Sequence, residues 1–177
     1  MARNVELKAR IEDLEGLHRQ ARKIATSGPT LIPQDDTFFE CSTGRLKLRE
    51  FEDGRGELIF YQREDSLGPK ESFYVRTPVL DPASMRHALS LACGQIGRLK
   101  KRRMLYLFER TRIHVDSVEG LGDYVELEVV LSEGEPIEAG QREAKHVLNA
   151  LGIAGSSLVQ GAYLDLLASK RADATPQ

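Results

Sequence analysis

Tryptophan is absent from these 177 residues, aromatic residues make up only 6%, and cysteine occurs twice, at Cys41 and Cys93. The two cysteines have neither metal-ligand spacing nor a secretory context, which excludes a disulfide framework and a thiolate metal site; both are read as reduced thiols. No hydrophobic run reaches the length of a membrane span, and the opening MARNVELKAR lacks the apolar stretch of a signal peptide, so no membrane partner is expected and the cytoplasm is the expected location. The glycine-rich G-x-x-x-x-G-K-[ST] cradle is also missing, so any phosphate site must be built from side chains. Charge of one sign is lacking overall, with 25 basic and 27 acidic residues. The basic run Arg98 to Arg103 has no aromatic residues interleaved and has acidic neighbours that repel a phosphate backbone, so nucleic acid is not an expected partner.

What is present is an ordinary soluble balance, 41% hydrophobic and 29% charged, enough for one sizeable core. A single domain is expected over residues 1–170, with a frayed tail over 171–177. Charge is segregated locally: five of the six residues Arg98 to Arg103 are basic, whereas Glu119 to Glu135 is acidic. Such blocks suit a site where cations and carboxylates meet around an anion, although solvated faces also produce them.

Alternation predicts strands over Asn4 to Arg10, Thr37 to Phe51 with an interruption at Thr43 and Gly44, Glu57 to Arg63, Glu71 to Arg76, Arg98 to Glu109, Arg110 to Val118 and Asp123 to Leu131. Helices are predicted over Asp13 to Thr26, from the Asp81 N-cap and Pro82 to Cys93, over Ala139 to Leu151, and around Tyr163 to Ser169. The second of these should bury Met85, Ala88, Leu89 and Ala92. Ser27, Gly28, Pro29 and Pro33 read as a loop. Seven or eight strands and four helices without regular alternation indicate an α+β fold.

The organising stretch is Ile113 to Leu131, two strands joined at Gly120 and Gly122. Glu126 and Glu128 share one strand face, as do Glu6 with Lys8 and Lys47 with Arg49. A half-buried strand ordinarily shows such a face to water. The alternative is a closed barrel with helices against the apolar faces and the charges turned into a bore, which must then hold water, anion and metal to be tolerable.

The sequence resembles the CYTH-domain superfamily of class IV adenylyl cyclases and thiamine triphosphatases, the triphosphate tunnel metalloenzymes, over Asn4 to Leu167. The resemblance is carried in order by N-V-E-L-K at Asn4, R-L-K-L-R-E at Arg45 to Glu50, G-P-K-E-S at Gly68 to Ser72, Lys101 and Arg103 as K-x-R, I-H-V-D-S-V-E-G-L-G-D-Y-V-E-L-E from Ile113, and G-A-Y-L-D-L-L at Gly161 to Leu167.

The resemblance implies an antiparallel eight-stranded closed tunnel with helices outside, binding a triphosphate with Mg2+ or Mn2+. Matched position by position, Glu6, Glu126 and Glu128 would hold the metal. Lys8, Lys47, Arg49, Lys70, Lys101, Arg103 and Arg112 would hold phosphates, and Lys8, Arg112 and Asp116 are the catalytic candidates. Asn4 replaces the first glutamate of the family's E-x-E-x-K motif; an amide oxygen ligates a hard cation but adds no charge.

The expected partner is a small triphosphate such as ATP or tripolyphosphate. The activity that the resemblance implies is cyclisation of ATP to cyclic AMP and pyrophosphate, or hydrolysis of tripolyphosphate or an organic triphosphate, with a non-catalytic sensor as the third option. Homodimers occur in the family. His114 reads as a structural or tunnel-lining residue, and Tyr163 to Leu167 as a packing face. Removing Arg103 is expected to weaken triphosphate binding and to stabilise the empty protein by relieving repulsion among cations.

Overall fold

The structure, a computed structural model, describes residues 2–63 and 68–173. Eight antiparallel strands close into a barrel: β1 (Ala2–Arg10), β2 (Ser27–Phe39), β3 (Arg45–Glu50), β4 (Gly56–Arg63), β5 (Lys70–Val79), β6 (Gln95–Phe108), β7 (Thr111–Val118) and β8 (Gly122–Val130). The order around the ring is β1-β5-β4-β3-β2-β6-β7-β8, and β8 returns to β1. Four helices lie against the barrel, α1 (Leu14–Ile24), α2 (Pro82–Ala92), α3 (Ile137–Ala150) and α4 (Tyr163–Asp173). The α+β fold is as the strand and helix pattern predicts, and the closed eight-stranded tunnel is as the family resemblance implies. Among the described residues no helix is long and apolar enough to cross a membrane.

Local chemistry explains the elements. Asp13 caps α1 by accepting from the Gly16 amide at 2.8 Å, and Asp81 caps α2 by accepting from the Ser84 amide at 3.0 Å. Strand β1 places Val5, Leu7 and Ala9 outward, where they meet Leu17 and Ala21 of α1, Ala144 and Val147 of α3, and Leu127 and Val129 of β8. The apolar strand faces therefore bury outward against helices, and the alternate residues point into the bore. Helix α4 lies differently, across one end of the barrel: Tyr163 and Leu167 pack with Phe38, Leu99, Val118 and Tyr124.

Four expectations are corrected. The stretch read as a loop at Ser27 to Pro33 is the first half of β2, paired with β6 along Ser27↔Leu107 to Phe39↔Gln95. Strand β3 pairs with β2 only from Asp35 onward, so Pro29 and Pro33 lie where β2 has a neighbour on one side alone, and proline is tolerated there. The strand expected over Thr37 to Phe51 is two strands, parted at residues 40–44. On α2 the covered stripe is Pro82, Met85 and Leu89, with Cys93 just beyond it; Ala88 and Ala92 are exposed. Helix α4 extends past Ser169 to Asp173, and of the tail residues 174–177 lie outside the described residues.

Candidate functional site

Because side chains alternate along each strand, one parity of every strand faces the bore. Strand β1 contributes Asn4, Glu6 and Lys8, β3 Lys47 and Arg49, β6 Lys101 and Arg103, β7 Arg112 and His114, and β8 Glu126 and Glu128; all of them line one cavity of about 380 Å³. The register fixes their neighbours: Glu6 stands opposite Glu128, Lys8 opposite Glu126, Arg112 opposite Glu128, and Arg103 opposite Asp116.

Two buried aspartates organise the cations. Asp36 accepts Lys47 Nζ at 2.8 Å and the Arg49 guanidinium in a fork, Nε at 2.7 Å and Nη2 at 2.8 Å. Asp116 accepts Arg103 Nε at 2.7 Å and Nη2 at 2.6 Å, Lys101 Nζ at 3.1 Å and the Tyr163 hydroxyl at 3.0 Å. Burial pushes both carboxyls up, but the cations outweigh it: Arg49 and Lys47 hold Asp36, and Arg103 and Lys101 hold Asp116, below the usual carboxylate range. Planar forks of this kind fix guanidinium orientation as well as charge.

The carboxylates of β8 are also engaged. Arg103 Nη2 donates to Glu126 Oε2 at 3.0 Å and Arg112 Nη1 to Glu128 Oε1 at 2.9 Å, and Asn4 Nδ2 donates to the same Glu128 oxygen. Burial pushes Glu126 up, yet Lys8 and Arg103 leave it ionised far into acid. Burial, then Arg103, keeps His114 neutral, and its buried Nδ1 has no hydrogen-bond partner among the described residues. Burial, then Arg49, brings the Lys47 ammonium down to about 7 even with Asp36 beside it.

The expected metal ligands Glu6, Glu126 and Glu128 share the cavity wall, but among the described residues no group of three His, Cys, Asp or Glu side chains is gathered closely enough to hold an ion. Two observations nonetheless fit a hard cation on this wall. Glu6 stands opposite Glu128 across the β1–β8 ladder, which sets two carboxylates on one stretch of wall, and among the described residues the Asn4 side-chain oxygen is buried with no hydrogen-bond partner. Carboxylate and amide oxygens are the donors that Mg2+ and Mn2+ prefer.

Two expected site residues stand apart from the wall. Asp116 has no exposed surface and lies behind Lys101 and Arg103. Lys70 is buried on the inward parity of β5 with Ser72 and Tyr74, but it does not line the cavity. In turn the wall includes residues that the sequence reading passed over: Gln34 and Asp36, hidden because proline made β2 read as a loop, and Tyr61, Tyr74, Arg76 and Tyr163. Tyr163 is more than a packing residue. Its hydroxyl reaches Asp116, its ring lies 4.0 Å from Lys8 Nζ and 4.9 Å from Lys101 Nζ, and its own ionisation is pushed well up by burial and by Asp116.

The ring of antiparallel strands with a cation- and carboxylate-lined bore defines a tunnel protein whose interior, not its surface, carries the polar chemistry. The chain belongs to the CYTH domain family, whose model matches residues 2–163. It is 25% identical over 170 residues to a Methanocaldococcus jannaschii protein named "Putative adenylate cyclase", covering 92% of this chain and 97% of that one. Its fold matches the PH1012 protein of Pyrococcus horikoshii with a TM-score of 0.83 at 23% identity, over 93% of this chain and 99% of that one. It also matches a Hippeastrum candidate adenylyl cyclase, described as having a dominant triphosphatase activity, with a TM-score of 0.68 at 15% identity and 96% coverage of both chains.

Proposed function

We propose that the bore binds a triphosphate together with Mg2+ or Mn2+, and that the protein is an enzyme of the adenylyl cyclase type, converting ATP to cyclic AMP and pyrophosphate. The observation that carries this reading is the charge of the wall. Lys8, Lys47, Arg49, Arg76, Lys101, Arg103 and Arg112 line it against Glu6, Asp36, Glu126 and Glu128, so that with Asp116 behind them seven basic side chains face five acidic ones, Lys47 being poised at about 7. A partly buried cationic surplus is offset by a multiply charged anion that accepts hydrogen bonds from several directions.

Each residue has a part in this reading. Asp36 fixes Lys47 and Arg49, and Asp116 fixes Lys101 and Arg103, so the phosphate-binding cations are oriented before substrate arrives. Asp116 thereby acts as a positioning residue. Lys8 and Arg112 approach from β1 and β7 and stabilise negative charge that builds on the phosphates as the ribose 3′-oxygen bonds to the α-phosphorus and the bond to pyrophosphate breaks. Glu6, Glu126 and Glu128, with the Asn4 amide oxygen, would hold the divalent cation, which supplies further charge stabilisation at the phosphates.

Hydrolysis is the second reading, and the match of this fold to a protein described as a triphosphatase favours it. The same cations would then serve attack of water on the terminal phosphorus. A sensor without turnover is the third, favoured by the uncharged Asn4. Phosphorus NMR of the protein with ATP, and separately with tripolyphosphate, in Mg2+ and then Mn2+, separates them. Cyclic AMP with pyrophosphate supports the cyclase and orthophosphate supports the hydrolase. Unchanged spectra with tight binding leave the sensor, and no binding of either ligand sinks the triphosphate reading.

A further inference from the structure

The cavity wall is not uniform. Lys8, Lys101 and Arg103 are deeply placed, none more than 8% exposed, and the start of α4 closes over them, with Lys8 Nζ donating to the Gly161 carbonyl at 3.1 Å. The β4–β5 side has a different character. Tyr61 and Tyr74 stand directly opposite each other in the register, both face the cavity, both are half-buried, and the neighbouring inward residues are the apolar Ile59 and the exposed Arg76.

Inorganic tripolyphosphate has no ring to stack, so the faces of two half-buried tyrosine rings add nothing to its binding, even though the Tyr74 hydroxyl meets Arg112. A nucleoside triphosphate is different. With its phosphates among the deep cations its planar base is left toward the more exposed side of the wall, where an aromatic ring offers a stacking face that any base can use. The charges beside the rings select further. The Arg76 guanidinium lies 5.7 Å from the Tyr74 ring centroid and Lys47 Nζ lies 5.6 Å from that of Tyr61, so a ligand ring carrying a positive charge is repelled and a neutral base is accepted.

We propose that Tyr61 and Tyr74 form the base-binding subsite for a nucleoside triphosphate, an inference that rests on the triphosphate reading above. The chain has no tryptophan and five tyrosines, so its intrinsic fluorescence comes from tyrosine and a base stacked on Tyr61 or Tyr74 quenches part of it.

The test titrates ATP and tripolyphosphate, each with Mg2+, into the full chain by calorimetry and by tyrosine fluorescence. Tyr74 meets Arg112 and Tyr61 meets Lys47, so both ligands are affected, but Tyr61→Ala and Tyr74→Ala are each expected to weaken ATP about tenfold more than tripolyphosphate, the size of one base–aromatic stack. Retained tripolyphosphate binding is also the control for an intact site. The double variant Tyr61→Phe with Tyr74→Phe keeps the rings and is expected to keep the preference for ATP over tripolyphosphate, while losing the quenching that ATP gives beyond tripolyphosphate; any quenching common to both ligands belongs to Tyr163 beside Lys8 and Lys101. Unchanged ATP affinity in both alanine variants, an equal loss for both ligands, or an ATP quenching in excess of tripolyphosphate that persists in the double phenylalanine variant overturns the tyrosine subsite and leaves the triphosphate site standing. A wild-type protein that binds neither ligand overturns both.

Discussion

Arg103 shows how a single residue changes meaning once its neighbours are known. Among the basic positions of the sequence it is one cation repelling others; in the barrel it donates to Asp116 twice and to Glu126 once. Arg103→Ala therefore leaves two buried carboxylates short of a partner, and the expected relief of repulsion is reversed in sign. Losses of about 3–5 kcal/mol follow from breaking a buried pair on one side, so urea denaturation should show a destabilisation of that order for Arg103→Ala and for Asp116→Asn. A loss below about 1 kcal/mol in both would mean that the fork adds little to stability. The pair Glu126→Gln with Glu128→Gln tests the metal wall: metal-dependent turnover should vanish with the circular dichroism spectrum unchanged, and full activity would remove both residues from the site.

Lys47 gives a pH dependence whose direction follows from its shift. Its folded value of about 7 lies below the ordinary lysine value of 10.5, so between these limits the unfolded chain binds more protons than the empty folded protein. The stability contributed by this group is complete above 10.5 and is lost as pH falls toward 7. A triphosphate beside Lys47 favours the ammonium, so binding at pH 8 should take up a proton and weaken as pH rises. Calorimetry in buffers of different ionisation enthalpy reads that proton directly. Lys47→Arg, always charged, should abolish the uptake, and unaltered uptake in that variant would assign it elsewhere.

At the scale of elements, the helices turn the barrel's charged faces inward by covering its apolar ones. Helix α3 approaches β1 so closely that a Cβ added at Gly140 would stand 2.8 Å from Val5 Cγ2 and 2.7 Å from Leu131 Cδ2. Gly140→Ala gains about 1 kcal/mol of helix propensity and loses about 1–3 kcal/mol to overpacking, so a net loss of stability is expected. A thermal midpoint at or above that of the wild type would show that α3 can move away from the sheet without cost. Much at this scale is legible in the sequence. Asn4 to Arg10 alternates cleanly, Asp81-Pro82 announces α2, and the glycines at 54, 56, 120 and 122 mark hairpin turns. Strand β2 is not legible, because its prolines and paired aspartates suppress the strand pattern and only the long ladder to β6 overrides them.

At the scale of the molecule, the proposed triphosphate would bind inside a closed barrel whose basic side chains outnumber the acidic ones, so ligand and fold should stabilise each other. Tripolyphosphate at about 100 times its dissociation constant should add about 2.7 kcal/mol of stability, which for a domain of this size corresponds to roughly 5–10 °C in melting temperature. Scanning calorimetry with and without ligand checks this, and a midpoint that tripolyphosphate leaves unmoved would count against a site inside the barrel.

The sequence by itself determined the strand periodicity, the helix starts and the presence of same-face charged pairs, since these depend on residues two to four positions apart. Alternation also put Glu6 with Lys8, Lys47 with Arg49 and Glu126 with Glu128 on shared strand faces, and the resemblance to the CYTH superfamily added Lys101, Arg103 and Arg112 to them. Only the tertiary structure decided that this parity faces a bore and not water, because that depends on β8 returning to β1 across more than a hundred residues of chain. The same closure brings Asp36 beneath Lys47 and Arg49, and Tyr163 of the last helix onto Asp116, contacts whose partners carry no local mark of each other in the chain.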